Sequence, residues 1–193
     1  MLRIVAGQFG GRRIQSPSGR GTRPTAEKVR AALFNTLQQW IGLDGARVLD
    51  LYAGSGALGI EALSRGAAHV TFVESDPRSA ARVRANLKAL EVPAGQAAVV
   101  CGNAVPWLHR AAPAPETQLV LVDPPYAAGE YEGVLQALAQ WPGLAPDAIV
   151  AVEAPARRDI AAPPGLAVLR TRRYGDTQLV YLGKSAREGA AAP

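Results

Sequence analysis

The sequence predicts one α/β domain built around a mostly parallel sheet. From Arg47 onward, short runs of aliphatic and β-branched residues alternate with segments of helical periodicity, as expected for parallel strands joined by crossover helices. A length of 193 residues suits one domain, and 48% hydrophobic against 19% charged residues provides enough apolar material for a core. That composition excludes an intrinsically disordered chain.

The first 24 residues predict an extension that precedes the core domain. Alternating apolar residues over 2–6 and 12–15, separated by a pair of glycines, favour a small exposed hairpin. Residues 16–24 are rich in proline, glycine and serine, and we expect them to form a connector. These features divide the chain into an extension at 1–24, a core domain at 25–184 and a disordered tail at 185–193.

The elements of the core domain follow from periodicity. A helix is expected from Thr25, which can cap it, because apolar residues then recur on one face. Strands are expected at 47–52, 69–74, 97–101, 118–123 and 148–153, and helices near 57–65, 77–91, 104–111 and 130–141. Two more strands, 166–173 and 178–182, flank a turn at Gly175 and predict a closing antiparallel hairpin.

The net charge of +5 is distributed unevenly. Residues 1–30 carry seven basic residues and one acidic residue. Residues 31–156 carry 7 basic and 12 acidic residues, and residues 157–193 carry 7 basic and 3 acidic residues. An acidic middle therefore lies between two basic ends. This asymmetry favours a polyanionic partner held by the ends, and ordinary solvated surface is the alternative.

The single cysteine, Cys101, permits neither an internal disulfide nor a thiolate metal cage. No segment approaches the ~20 uninterrupted apolar residues that span a membrane, and the first residues lack the pattern of an export signal. We therefore expect a cytoplasmic protein without a metal.

A glycine-rich loop predicts a nucleotide-type cofactor site. Gly54, Gly56 and Gly59 form a GxGxxG pattern directly after a strand and ahead of a helix, although a tight structural turn explains the glycines equally well. Glu74 ends the next strand, 18 residues beyond Gly56, near the ~20-residue spacing of an acid that holds ribose hydroxyls. Both a dinucleotide and S-adenosylmethionine fit this pattern.

Two further features favour S-adenosylmethionine. Asp50 is an acid at the edge of the loop, and it suits a cationic sulfonium better than a pyrophosphate. Asn103 could present its amide to the adenine edge, or it could merely cap a helix. The candidate cofactor residues are Asp50, Tyr52, Gly54, Ser55, Gly56, Glu74, Ser75, Asn103 and Ala104.

The tetrapeptide Asp123-Pro124-Pro125-Tyr126 follows an apolar strand and supplies the candidate catalytic residues. The carboxyl ends of strands are where open α/β sheets bind ligands. An exocyclic amine of a base is a poor nucleophile because its lone pair is delocalised into the ring. Acceptance of its N–H groups by the Asp123 carboxylate and the Pro124 carbonyl would localise that pair, while Tyr126 would stack on the unpaired base.

GxGxxG combined with DPPY resembles the amino-methyltransferases that act on DNA and RNA bases. The segment GRGTRPTAEKVRAALFNTL at 19–37, the opening RIVAGQFGGRRI and the late RRYGDTQLVYL resemble the RsmD-type family, which methylates guanine N2 in small-subunit ribosomal RNA. The resemblance covers about residues 2–182. One departure is Asn103, where many relatives carry aspartate, and the loss of charge there is expected to weaken cofactor affinity.

The resemblance implies a Rossmann-like class I S-adenosylmethionine-dependent methyltransferase, with a seven-stranded sheet and helices on both faces. It also implies 16S ribosomal RNA as the partner, within a small subunit or its precursor. The candidate RNA contacts, expected to bind mainly phosphates, are Arg12, Arg13, Arg20, Arg23, Arg30, Arg172 and Arg173.

Three other functions were weighed against this one. An adenine-N6 DNA methyltransferase also fits DPPY, but such enzymes usually carry an additional target-recognition domain. A nicotinamide oxidoreductase shares the glycine loop and gives DPPY no role. A non-catalytic RNA-binding protein accounts for the basic ends alone.

Overall fold

The computed structural model describes residues 1–16, 24–111, 116–125 and 129–185. The strands are β1 (Leu2–Arg3), β2 (Arg13–Ile14), β3 (Arg47–Leu51), β4 (His69–Glu74), β5 (Ala97–Cys101), β6 (Thr117–Val122), β7 (Leu144–Pro155), β8 (Leu166–Tyr174) and β9 (Thr177–Lys184). The helices are α1 (Pro24–Trp40), α2 (Ala57–Ser64), α3 (Pro77–Ala89), α4 (Ala104–Arg110) and α5 (Glu130–Gln140), with a short 3₁₀ turn at Ala94–Gln96.

Seven strands form one sheet in the order β5-β4-β3-β6-β7-β9-β8, and its first five strands are parallel. The chain passes outward from β3 to β5 and then returns to place β6 on the other side of β3. The order therefore reverses between β3 and β6. In open α/β sheets, the crevice outside the carboxyl ends of the strands at this reversal is where ligands bind.

The chain closes with the antiparallel hairpin that the sequence predicts, turning at Gly175 with φ 61°. Strand β9 inserts between β7 and β8, antiparallel to both. In this register Glu153 of β7 pairs with Leu179 of β9, which pairs in turn with Arg172 of β8. The turn end of the hairpin thus lies at the same sheet edge as the carboxyl ends of the parallel strands.

Helices cover both faces of the sheet. Helices α1, α2 and α3 pack on one face through residues such as Leu33, Phe34 and Ile60. Helices α4 and α5 pack on the other face, where Tyr131 and Leu138 are buried. Alternate side chains along the central strands serve the two cores, which explains why those strands read as continuous apolar runs.

Most element boundaries differ from the predictions by a few residues, and two of these differences have a clear physical reason. Strand β7 begins at Leu144 rather than 148, because Leu144 pairs with Thr117 ahead of a register shift in β6. Helix α1 begins at Pro24, which was assigned to the connector; proline is tolerated at the first helical position because that N–H has no intrahelical partner. The proposed cap by the Thr25 side chain, most of the connector and most of the tail lie outside the described residues.

The N-terminal hairpin is anchored to the core domain rather than fully exposed. Its apolar residues Ile4 and Ile14 are buried. The backbone N–H groups of Val5 and Ala6 donate to the Glu61 carboxylate at 2.8 and 3.1 Å. The prediction of an exposed hairpin is therefore wrong for its inner face, because α2 supplies partners for both its apolar side chains and its backbone.

Glu61 is fully buried, and its Oε1 lies 2.9 Å from Arg65 Nε while its Oε2 lies 3.9 Å from Arg30 Nε. Glu61→Gln should lower the free energy of unfolding by about 3 to 5 kcal/mol, because it leaves buried arginine charge uncompensated. Urea denaturation measures this loss. Glu132→Gln, which removes the negative charge of an exposed partner of Arg158, is the control. It should leave the midpoint of the urea unfolding transition almost unchanged. Equal midpoints for the two variants would contradict the anchoring role.

In the described part of the chain, no helix is long and apolar enough to cross a membrane.

Candidate active site

Three glycines shape the loop between β3 and α2, for different reasons. Gly54 and Gly56 have φ of 56° and 79°, a backbone region that side chains disfavour. Gly59 has no such constraint, but a Cβ there would lie 2.3 Å from Cε1 of Phe72. Gly59 therefore lets α2 pack closely on β4, so the pattern is a dinucleotide-type loop in geometry as well as in sequence.

Glu74, at the end of β4, holds the loop from one side. Its Oε2 accepts the N–H of Gly54 at 2.7 Å, and its Oε1 accepts the N–H of Asp76 at 2.8 Å. The Ser75 hydroxyl also donates to Oε1, at 3.5 Å. A carboxylate has about four acceptor positions, so capacity remains on Oε2 for a hydroxyl donor. The side chain is partly exposed beside the loop, which fits the predicted role toward ribose.

Asp50 lies beneath the loop rather than at its edge. It is 1% exposed, and its Oδ2 accepts the N–H of Gly59 at 2.9 Å. Burial raises the pKa of Asp50 to about 7; the Gly59 hydrogen bond opposes this shift, and the charges of Asp123 and Glu74 add to it. Its contribution to a cofactor site is therefore to hold the start of α2 and to add negative potential.

The raised pKa of Asp50 predicts a pH dependence of stability. The folded state binds this proton more tightly than the unfolded state. The free energy of unfolding should therefore decrease as the pH rises from about 4 to about 7, by up to about 4 kcal/mol. Asp50→Asn keeps an oxygen for Gly59 and should make this slope shallower in urea titrations at several pH values, while Glu153, whose pKa is also raised, supplies the slope that remains. Asp147→Asn, at an exposed position of β7, is the control. A slope that is the same in Asp50→Asn and in the wild-type protein would assign the pH dependence to other groups.

Tyr52 follows β3 with φ 61°, and its hydroxyl donates to Glu130 Oε2 at 3.0 Å. Burial, together with the hydrogen bond to Glu130, raises the pKa of Tyr52 above its ordinary value. This contact ties the end of β3 to the start of α5. No sequence pattern indicates Glu130, because a partner so distant along the chain is defined only by the fold.

The remaining predicted cofactor residues lie around the loop and the ends of β4 and β5. Asn103 precedes α4 and is exposed, and its side chain makes no capping hydrogen bond. The alternative of a side-chain helix cap is therefore wrong, and the amide faces outward. Ser55 and Ala104 are buried, while Ser75 is exposed.

The Asp-Pro-Pro segment leaves β6 beside the glycine loop. Strands β3 and β6 pair Leu51 with Val122, so Asp123 begins the loop that follows the neighbouring strand at the order reversal. Asp123 is partly buried, Pro124 is buried and Pro125 is exposed. Tyr126 lies outside the described residues.

Glu153 is a site residue that the sequence reasoning missed. Strands β6 and β7 pair Val122 with Val152, which brings Glu153 beside Asp123. Burial raises the pKa of Glu153 to about 8, the Asp123 charge adds to the shift, and Arg30 opposes it. The available signal was an acid at the end of the predicted strand 148–153, at the edge where Asp123 also ends a strand.

The candidate RNA contacts divide into three groups. Arg12, Arg13, Arg172 and Arg173 are exposed, and Arg20 and Arg23 lie outside the described residues. Arg30 is wrong as an RNA contact: it is 7% exposed, its Nη2 donates to the Arg3 carbonyl at 2.5 Å, and its charge faces Glu61. A buried guanidinium of this kind cannot reach a phosphate without unfolding its surroundings.

The chain matches known proteins over almost its whole length. Residues 2–183 match the family model described as Conserved hypothetical protein 95. Ribosomal RNA small subunit methyltransferase D of Escherichia coli is 40% identical over 163 residues, which cover 84% of this chain and 79% of that protein. The Haemophilus influenzae protein of the same name is 33% identical over 174 residues, with 90% and 89% covered.

Solved structures show the same fold. The Escherichia coli protein yhhF superposes with a TM-score of 0.82 at 33% identity, covering 96% of this chain and 99% of that one. A hypothetical protein of Thermus thermophilus superposes with a TM-score of 0.78 at 27% identity, covering 96% and 100%. The predicted class I methyltransferase fold with a seven-stranded sheet is confirmed. The glycine loop beside an Asp-Pro-Pro edge, together with these matches, shows that the chain belongs to the RsmD-type family of ribosomal RNA small subunit methyltransferases.

Proposed function

We propose that this protein methylates the exocyclic N2 of a guanine in 16S ribosomal RNA, using S-adenosylmethionine, on the cytoplasmic small subunit or its precursor. The observation that carries the proposal is the position of Asp123 and Pro124. They leave β6 one strand from the glycine loop, at the order reversal of the sheet. A base amine and a methyl donor can meet at this edge.

The described residues fit S-adenosylmethionine. Gly54 leaves open space that a side chain would fill, since the nearest atom to a Cβ there is the Tyr52 carbonyl at 3.9 Å. Glu74 has acceptor capacity for a ribose hydroxyl, and the exposed Asn103 amide can serve an adenine edge. When bound, the cofactor would supply an electrophilic methyl group on a sulfonium, and the carboxyl groups of Asp50 and Glu74 at the glycine loop would favour that positive charge.

Asp123 and Pro124 activate the amine. The Asp123 carboxylate and the Pro124 carbonyl each accept one N–H of N2, which localises the nitrogen lone pair and aims it at the methyl carbon. The N–C bond forms as the S–C bond breaks, the bonding pair stays on sulfur, and the extra amine proton leaves to water. Alignment of the three atoms supplies much of the remaining rate. Tyr126 is proposed to stack on the extruded base. Pro125 stiffens the backbone between Pro124 and Tyr126.

The basic ends are proposed to hold the RNA by its phosphates. Arg172 is in register with Leu179 and, through it, with Glu153, so it lies about two strand spacings, roughly 10 Å, from the strand bearing Glu153. This register puts exposed positive charge at the edge that holds the active site. Arg12 and Arg13 on the N-terminal hairpin add exposed positive charge, and Arg20 and Arg23 follow them in the sequence.

Replacing Arg12, Arg13, Arg172 and Arg173 by glutamine should flatten the salt dependence of RNA binding. Each phosphate contact contributes about 0.7 to 0.9 to the slope of log affinity against log salt concentration. Filter binding of 16S RNA over a salt series measures the slope. Arg110→Gln, an exposed arginine of α4, is the control. If the fourfold variant and the control have the same slope, these arginines are ordinary solvated surface.

The function itself is tested by incubating the protein with methyl-labelled S-adenosylmethionine and one of three acceptors: naked 16S RNA, small subunits or DNA. Label should enter RNA or subunits. Label in DNA alone would identify the DNA methyltransferase alternative, and cofactor and RNA binding without any transfer would contradict catalysis. Comparison of naked RNA with subunits identifies the substrate form.

A further inference from the structure

Glu153 shares one sheet face and one sheet edge with Asp123. The pairs Leu121 with Ala151 and Val122 with Val152 place the two acids next to each other where the strands end. Their face is that of α1 and α2, because Leu121 and Ala151 both belong to the core that those helices cover. The backbones of the two neighbouring strands run about 4.8 Å apart, and the charge of Asp123, which directly follows β6, acts on Glu153 of β7.

The surroundings of Glu153 leave its carboxyl group poorly compensated. On β9 its neighbour is the apolar Leu179, and from α5 the Tyr131 hydroxyl donates to the Glu153 backbone carbonyl at 3.4 Å rather than to its side chain. Arg30 on α1 opposes the rise in its pKa, but that guanidinium is committed to Arg3 and Glu61. A buried carboxylate beside a second acid is strongly favoured by a new N–H donor.

We infer that Glu153 selects guanine as the target base by accepting its N1–H while Asp123 accepts from the adjacent N2 amine. The inference rests on the proposed function. In guanine, N1–H and N2 are neighbouring donors on the Watson–Crick edge, so two adjacent carboxylates match them. In adenine, the atom beside the amine is an unprotonated N1, whose lone pair would face the Glu153 carboxylate. While Glu153 is ionised, the wrong base therefore leaves this acceptor unpaired, which is a strong form of rejection.

The test uses an RNA base that differs from guanine at this edge. Once the methylated guanine has been mapped, ligated 16S RNA is made with guanine or 2-aminopurine at that position; 2-aminopurine keeps the amine but has an unprotonated N1. Single-turnover transfer is measured at about pH 9, where Glu153, whose pKa is raised to about 8, is ionised. Under this condition the wild-type protein should be slower on 2-aminopurine by roughly 10- to 200-fold. Glu153→Gln can turn its amide N–H toward that N1, so the ratio between the bases should shrink to within a few-fold.

Two controls separate the possible roles of Glu153. Cofactor affinity by calorimetry should be unchanged in Glu153→Gln, and Asp147→Asn on the same strand should keep the wild-type ratio. Glu153→Ala, which offers neither donor nor acceptor, should slow transfer to guanine and also shrink the ratio. Equal slowing on both bases, with the ratio preserved, would overturn the inference and leave Glu153 as a counter-charge for Arg30. Absence of guanine transfer by the wild-type protein would instead overturn the proposed function and the inference together.

Discussion

Asp123→Ala is expected to abolish methyl transfer, lowering the rate constant by roughly 10²- to 10⁴-fold, while S-adenosylmethionine affinity stays within a few-fold of wild type. The reason is that the Asp123 carboxylate is proposed to act on the amine, whereas the loop is held by Glu74 and Asp50. Single-turnover kinetics and calorimetry measure the two quantities separately.

Asp123→Asn refines this test. The asparagine oxygen can still accept an N–H, but the negative charge is lost, so transfer should be intermediate between wild type and Asp123→Ala. Parallel loss of transfer and of cofactor binding in both variants would move Asp123 into the cofactor site and contradict its role toward the amine.

Gly59→Ala is expected to destabilise the protein and weaken cofactor binding together. The new Cβ would lie 2.3 Å from Phe72 Cε1 and 2.8 Å from Val70 Cγ1, so α2 must move away from β4. Overpacking of this kind costs about 1 to 3 kcal/mol or more. Because Asp50 holds the Gly59 N–H, the displacement also disturbs the loop, and a loss of affinity of about tenfold or more is expected.

Gly95→Ala is the matched control, since a Cβ there meets nothing within 4 Å. Thermal unfolding and calorimetry on both variants should show large effects for Gly59→Ala and small ones for Gly95→Ala. A Gly59→Ala protein with wild-type affinity and midpoint would mean that the third glycine of the loop has no packing role.

The parts of the site that are local in sequence could be predicted. The glycine loop, Glu74 and the Asp-Pro-Pro segment each follow a recognisable apolar strand, and the carboxyl ends of parallel strands must share one edge. The family resemblance implies a seven-stranded sheet but not the order of its strands, because strand order depends on contacts far apart in the chain. The insertion of β9 between β7 and β8 is such a contact, and it determines where Arg172 lies.

Arg30 and Glu61 show why the rest could not be predicted. From the sequence alone, Arg30 is expected on the surface. In the fold it lies on α1 and faces Glu61, a buried acid on α2. Glu61 sits in an apolar helix without any motif, and its partners are arginines and backbone groups from three separate segments. Burial of a charge depends on the assembled fold, whereas sequence patterns report charge alone. The roles of Tyr126, Arg20 and Arg23 stay predictions.

The proposed function is that the protein methylates the N2 of a guanine and that Asp123 activates this amine. The most direct measurement is to incubate small subunits and naked 16S RNA with methyl-labelled S-adenosylmethionine and the protein, hydrolyse the RNA to nucleosides and identify the labelled one by mass spectrometry. We expect N2-methylguanosine with the wild-type protein and, over the same incubation, roughly 10²-fold less or lower with Asp123→Ala. Label in N6-methyladenosine, or equal amounts of labelled N2-methylguanosine with the wild-type protein and with Asp123→Ala, would contradict this function.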